Sequence, residues 1–214
     1  MHQGRFLNEH AVASASHDNE QSKGALVYIE GKPGTGKTTQ ARILASTLNS
    51  SGISAKDVDG AASGSRSDLL SIGSYMLHYG KGMLKAVSVQ NAYDVVIVQH
   101  VPSYFTYSFN LISGYNSISL VQRAMHAPLD MMAKPAAVFY LYADMQVLLE
   151  RLEGKAGRID AVHKLLLRAD DSAFVAYLKH LYGYRFIMVD ASKSKEKSAA
   201  EIYAHMGAMA TLRK

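Results

Sequence analysis

Cysteine is absent from the 214 residues. No disulfide and no thiolate metal site can form, and the expected setting is a reducing cytoplasm. Long apolar runs are absent too. None approaches the roughly 20 residues that cross a bilayer, and the polar N-terminus has no signal-peptide core. No membrane partner is expected. An Asn-Lys-x-Asp guanine motif occurs nowhere, which argues against a GTPase switch. An acidic surplus is also missing. Lys and Arg number 23 against 18 Asp and Glu, a net charge of +5. That balance suits an anionic partner such as a nucleotide, and it requires no nucleic acid. The chain is 48% hydrophobic and 19% charged, ordinary for a globular protein with a substantial core.

What the chain does have is Gly31-Lys32-Pro33-Gly34-Thr35-Gly36-Lys37-Thr38-Thr39. This is a complete G-x-x-x-x-G-K-[ST] phosphate loop. It follows an apolar strand-like run, Ala25 to Glu30, and opens a helical pattern that reaches Asn49. The motif needs that strand–loop–helix context to carry meaning. Glycines let backbone N–H groups approach phosphates with no Cβ in the way. The helix N-terminus adds the positive end of its dipole. Lys37 supplies a point charge to the β- and γ-phosphates, and the Thr38 hydroxyl is placed to ligate Mg²⁺. The expected ligand is therefore a nucleoside triphosphate with Mg²⁺.

Along the rest of the chain, residues 1–24 read as a flexible arm and 25–214 as one nucleotide-binding domain. Strands are expected at 53–58, 93–98, 136–142 and 185–189. Helices are expected at 68–89, 117–132, from Asp144 onward, 161–182 and 196–209. Gly154-Lys155-Ala156-Gly157-Arg158 reads as a cation-rich interruption, a small lid at about 154–161. Alternating strands and helices predict an α/β fold: a five-stranded parallel sheet with helices on both faces. Ligands of such sheets sit beyond the C-terminal strand edge. The residues to read there are 31–38, Asp59, Gln99-His100, Ala143-Asp144 and 190–192.

Several pieces together resemble the thymidylate kinase family of nucleoside monophosphate kinases. They are Tyr28-Ile29-Glu30-Gly31 with Gly36-Lys37-Thr38-Thr39-Gln40-Ala41; Ala137 to Leu141 with Asp144 and Leu148-Leu149-Glu150-Arg151-Leu152; Gly157-Arg158-Ile159-Asp160; and Phe186 to Ser192 with Glu201-Ile202. The resemblance implies the P-loop kinase fold, an ATP–Mg²⁺ donor, a nucleoside monophosphate acceptor and a homodimer. It implies that Ala191-Ser192 lies near the adenine and that Arg151 and Arg158 frame the transferring phosphoryl group. Either arginine also reads as an ordinary solvated charge.

The chain departs from the family's pattern at the acceptor. The family's Asp-Arg after the third strand is Gln99-His100 here, and its loop acid is Pro33. Arg66, His100 and Tyr107 are the remaining acceptor candidates. Asp59 is the best remaining carboxylate for a magnesium water or the acceptor, or else a turn aspartate before Gly60. Three readings follow: a nucleoside monophosphate kinase first, a nucleoside or other small-molecule kinase second, and a nucleotide-binding protein of impaired catalysis third.

Overall fold

The computed structural model describes residues 23–59, 72–99, 134–156, 167–168 and 170–211. The strands are β1 (Ala25–Gly31), β2 (Ala55–Asp59), β3 (Val95–Gln99), β4 (Ala137–Tyr142) and β5 (Phe186–Asp190). The helices are α1 (Lys37–Ser50), α2 (Ile72–Val89), α3 (Met145–Ala156), α4 (Ser172–Tyr182) and α5 (Lys195–Thr211). The strands form one sheet in the order β2-β3-β1-β4-β5, and every neighbouring pair is parallel. This is the expected α/β architecture.

The apolar runs explain the layers. A sheet covered on both faces needs apolar side chains at every position rather than every second one. Val95-Val96-Ile97-Val98 meets that need, and all four are buried. Alternate residues then serve different helices. Val27, Ile29, Val95, Ile97, Phe139 and Leu141 pack with Ala41, Leu44 and Leu48 of α1 and Ile202 of α5. Leu26, Tyr28, Val96, Val98 and Val138 pack on the opposite face with Met83 and Ala86 of α2. Tyr140 meets Phe174 and Leu178 of α4. Because β1 alternation matches β3 and β4 in register, a one-residue slip would exchange the two cores.

This topology places the ends that matter. After β1 the chain crosses over the α1 face; after β2 and β4 it crosses over the other. Neighbouring strands whose connections leave toward opposite faces open a crevice at their C-terminal ends. Here β1 and β4 are such a pair, and the crevice opens between their C-terminal ends.

Several boundaries differ from the sequence expectation. Strands β2 and β3 end on polar Asp59 and Gln99, which pair in register with one another; the ladder runs past the last apolar residue. Helix α2 runs unbroken through Gly80 and Gly82. Helix α3 likewise continues through Gly154 to Ala156, so the first residues of the expected lid are helical. A lone helix glycine costs only about 1 kcal/mol, which packing offsets. The expected helix 161–182 is interrupted at Asp170 and Asp171. The Asp170 carboxylate accepts the Ser172 N–H and hydroxyl, each at 2.9 Å, a local turn that competes with helix. Helix 117–132, residues 1–22 and residues 157–161 of the expected lid lie outside the described residues. No described helix is long and apolar enough to cross a membrane.

The opposite sheet edge is held by Asp94. Its Oδ2 accepts the Ser54 N–H at 2.9 Å and the Ser54 hydroxyl at 2.7 Å. The Ser54 Oγ in turn accepts the Asp94 N–H at 2.9 Å. The bonds from Ser54 hold the Asp94 carboxyl below its ordinary value. A group depressed in the folded state contributes stability that is full above its unfolded value and lost as pH falls through the folded value. Wild-type thermal stability should therefore fall on acidification below the ordinary carboxylate range. Asp94→Asn should start lower at neutral pH and lose less over that range. Parallel unfolding curves across pH would contradict the assignment.

Candidate functional site

The loop between β1 and α1 begins with a tight turn. Pro33 and Gly34 sit at its two central positions, and the Thr35 N–H reaches the Lys32 carbonyl at 3.3 Å. Gly34 has φ 84°. A type II turn needs that positive angle at its third residue, and proline presets its second. Gly34 also faces α3: a Cβ there would stand 2.9 Å from the Leu148 carbonyl and 3.2 Å from Leu152 Cγ. Gly31 is tighter still. Its φ is 142°, and a Cβ would stand 2.3 Å from the Leu141 carbonyl. The loop thus lies directly on β4 and α3, with no room for side chains at these two points.

The Lys37 side chain folds back over this turn. Its ammonium donates to the Gly31 carbonyl at 2.6 Å and the Lys32 carbonyl at 3.0 Å, and the residue is 6% exposed. Thr35 Oγ1 donates to the same Lys32 carbonyl at 2.8 Å. Helix α1 starts beside it with Gly36 at the N-cap, no side-chain cap and no acid in the first turn. Its first N–H groups have no intrahelical acceptor, and the dipole makes that end positive. A buried cation and an uncapped helix end converge on one loop, so the arrangement can accept a polyanion.

Toward β3, the loop's neighbour is Gln99. It is fully buried, and neither carboxamide atom has a hydrogen-bond partner among the described residues. By alternation it shares the α1 face with Val95 and Ile97, and it is in register with Ile29 and Asp59. Both buried amide atoms lack partners, which is costly, and a bound polar group would satisfy them.

Toward β4 lies a cavity of ≈ 260 Å³. Lys32 and Thr35 form its loop side, Tyr140 and Met188 its sheet side, and Asp171 and Val175 its α4 side. The Lys32 ammonium is 3.5 Å from Asp171 Oδ1 and donates to the Leu167 carbonyl at 3.3 Å. The Tyr140 hydroxyl donates a short hydrogen bond to Asp171 Oδ2.

Of the residues singled out in the sequence, Gly31 through Thr39 are brought together in this loop and helix start. Asp59 ends β2 beside Gln99. Arg151 is exposed on α3, next to Leu152, which packs on Gly34. Ala191 and Ser192 form the turn after β5. Ala191 is buried, and its N–H donates to the Tyr142 carbonyl at 2.7 Å. Ser192 is exposed, with its N–H on Asp190 Oδ1 at 2.9 Å. Arg66, His100, Tyr107 and Arg158 lie outside the described residues. Sequence reasoning missed Tyr140 and Asp171. The available signal was Asp170-Asp171-Ser172, a cluster that starts helices more readily than it continues them.

No protein-family model matches this chain, and no curated protein sequence matches it.

Gly31→Ala should destabilise the protein by about 3 kcal/mol, since the added Cβ meets a backbone carbonyl in a glycine-only conformation. Chemical denaturation measures this. A loss within the range of an ordinary surface substitution would contradict the close approach.

Proposed function

We propose that the protein is a phosphotransferase that moves the terminal phosphoryl group of ATP to a nucleoside monophosphate, in the manner of the thymidylate kinases its sequence resembles. One observation carries the reading. The buried Lys37 ammonium and the uncapped start of α1 converge on a glycine loop at the C-terminal edge of a parallel sheet. Phosphoryl transfer asks little covalent chemistry of a protein. It asks for positioned phosphates and compensated charge.

In this reading the α1 amides bind the donor's phosphate oxygens. Lys37 turns from the Gly31 and Lys32 carbonyls to the β- and γ-phosphates, and the carbonyls orient it. The residues present suit Mg²⁺ held partly through water: Thr38 offers a hydroxyl at the start of α1, and Gln99 offers a buried carboxamide with no other partner among the described residues. When bound, the ion would neutralise charge on the phosphate oxygens. Ala191-Ser192 accommodates the adenine, and Arg151 stands near the phosphoryl group. The same resemblance supports a homodimer, and the cysteine-free sequence suits a reducing cytoplasm.

A second reading is a nucleoside kinase. The sequence Gln99-His100 favours it, because the arginine expected to grip an acceptor phosphate is missing. A coupled ADP-release assay with ATP–Mg²⁺ against nucleoside monophosphates and free nucleosides separates the two. Acceptor-dependent release is expected, and Lys37→Ala should reduce it on the order of 100-fold or more. ADP release indifferent to any acceptor would remove the kinase reading.

Gln99→Glu tests the metal side. It buries a carboxylate beside the loop, so thermal stability in EDTA should fall. The Mg²⁺ concentration for half-maximal ADP release should fall as well. An unchanged Mg²⁺ dependence would place Gln99 outside the metal's surroundings.

A further inference from the structure

Asp171 stands at the N-cap of α4, where a short acid ordinarily bonds the helix's own amides. Its side chain makes no such bond. The preceding aspartate does the local work: Asp170 takes both the Ser172 N–H and hydroxyl. The Asp171 carboxylate turns instead into the cavity beside the glycine loop. Tyr140 fixes its Oδ2, and Lys32 lies 3.5 Å from its Oδ1. The side chain keeps 27% of its surface exposed, so the carboxylate is reachable from the cavity.

The cavity's chemistry narrows its occupant. Among the described lining residues, its polar edge sets the Lys32 cation beside the Asp171 carboxylate. A phosphate placed there meets the Asp171 carboxylate and gains little from Lys32, whereas an O–H donor meets a charged acceptor. The other walls include Leu148, Val175 and Met188, which suit the hydrocarbon face of a ring. The volume of ≈ 260 Å³ lies just under the range of about 300–1,000 Å³ common for small-molecule sites. It suits a hydroxylated ring or a sugar with part of its base, rather than a whole nucleotide.

The side of the sheet decides which substrate this is. Ala191, assigned above to the donor's base, packs in the α1–α5 core. Asp171 and Val175 belong to α4, whose Phe174 and Leu178 pack on the opposite face against Tyr140. In-line transfer sets donor and acceptor on opposite sides of the moving group. We infer that the cavity receives the sugar of the acceptor and that Asp171 accepts a hydrogen bond from one of its hydroxyls, making Asp171 a specificity-determining residue. This rests on the phosphotransferase reading, but its binding component is measured separately.

The experiment is calorimetric titration of the full chain with thymidine 5′-monophosphate, thymidine and their 3′-deoxy counterparts. It is run on wild type, Asp171→Asn and the cavity-filling Val175→Phe, with ATP binding and thermal unfolding measured for each. Asp171→Asn should weaken the 3′-hydroxyl probe that binds by about 10- to 100-fold. Removing the hydroxyl from the probe should cost wild type a similar factor and cost Asp171→Asn almost nothing further. Val175→Phe should lose the probe while keeping ATP. The inference is overturned if wild type binds none of the probes at millimolar concentration. It is also overturned if Asp171→Asn weakens hydroxyl and deoxy probes equally, or if its loss falls on ATP. Asp171-dependent binding without ADP release would retain this site and remove the kinase reading. ADP release with acceptor affinity independent of Asp171 would do the reverse.

Discussion

The carbonyl oxygen of Lys32 receives three donors, and the shape of the loop depends on them. The Thr35 N–H reaches it at 3.3 Å, the Thr35 hydroxyl at 2.8 Å and the Lys37 ammonium at 3.0 Å. Proline and glycine make the turn possible; the three donors hold it. Because Lys37 is the first residue of α1, its grip on the turn also fixes where the helix begins. The loop therefore joins β1 to a positive helix end with little slack. It rests on β4 at Gly31 and on α3 at Gly34, so four elements, β1, α1, β4 and α3, meet at one segment of seven residues, Gly31 to Lys37.

From that segment the sheet order does the rest. With β1 central in the sheet, the loop is bordered by the end of β3 on one side and of β4 on the other. On the β3 side stands Gln99, buried and with no hydrogen-bond partner for its carboxamide among the described residues. On the β4 side stands a cavity with apolar walls and a polar edge made by the Lys32–Asp171–Tyr140 contacts. The two sides differ in chemistry, and that difference supports separate tasks: polyanion and metal on one, a hydroxylated ring on the other. Lys32 contributes to both, through its carbonyl to the turn and through its ammonium to the cavity.

Much of this frame could be read in the sequence. The strands announce themselves as β-branched and apolar runs, and the loop motif carries its own geometry in Pro33 and the glycines. The alternation Val27, Ile29 against Leu26, Tyr28 already implies two cores. What stayed hidden has one physical origin, contact between distant residues. Strand ends follow hydrogen-bond ladders rather than hydropathy, so polar Gln99 and Asp59 belong to the sheet. Lys32 meets the Leu167 carbonyl across 135 positions, and no local pattern signals that. The break at Asp170 was locally legible but masked by the apolar residues on either side. Arg66, His100 and Tyr107 remain acceptor candidates that rest on sequence alone.

The central claim is that this loop and the start of α1 bind a polyphosphate. Backbone amide resonances followed by NMR during titration with a non-hydrolysable ATP analogue and Mg²⁺ test it most directly. The account predicts the largest shifts at the N–H groups of residues 34–39, absent or much reduced in Lys37→Ala. Shifts centred elsewhere on the sheet, or none at a saturating analogue concentration, would contradict it.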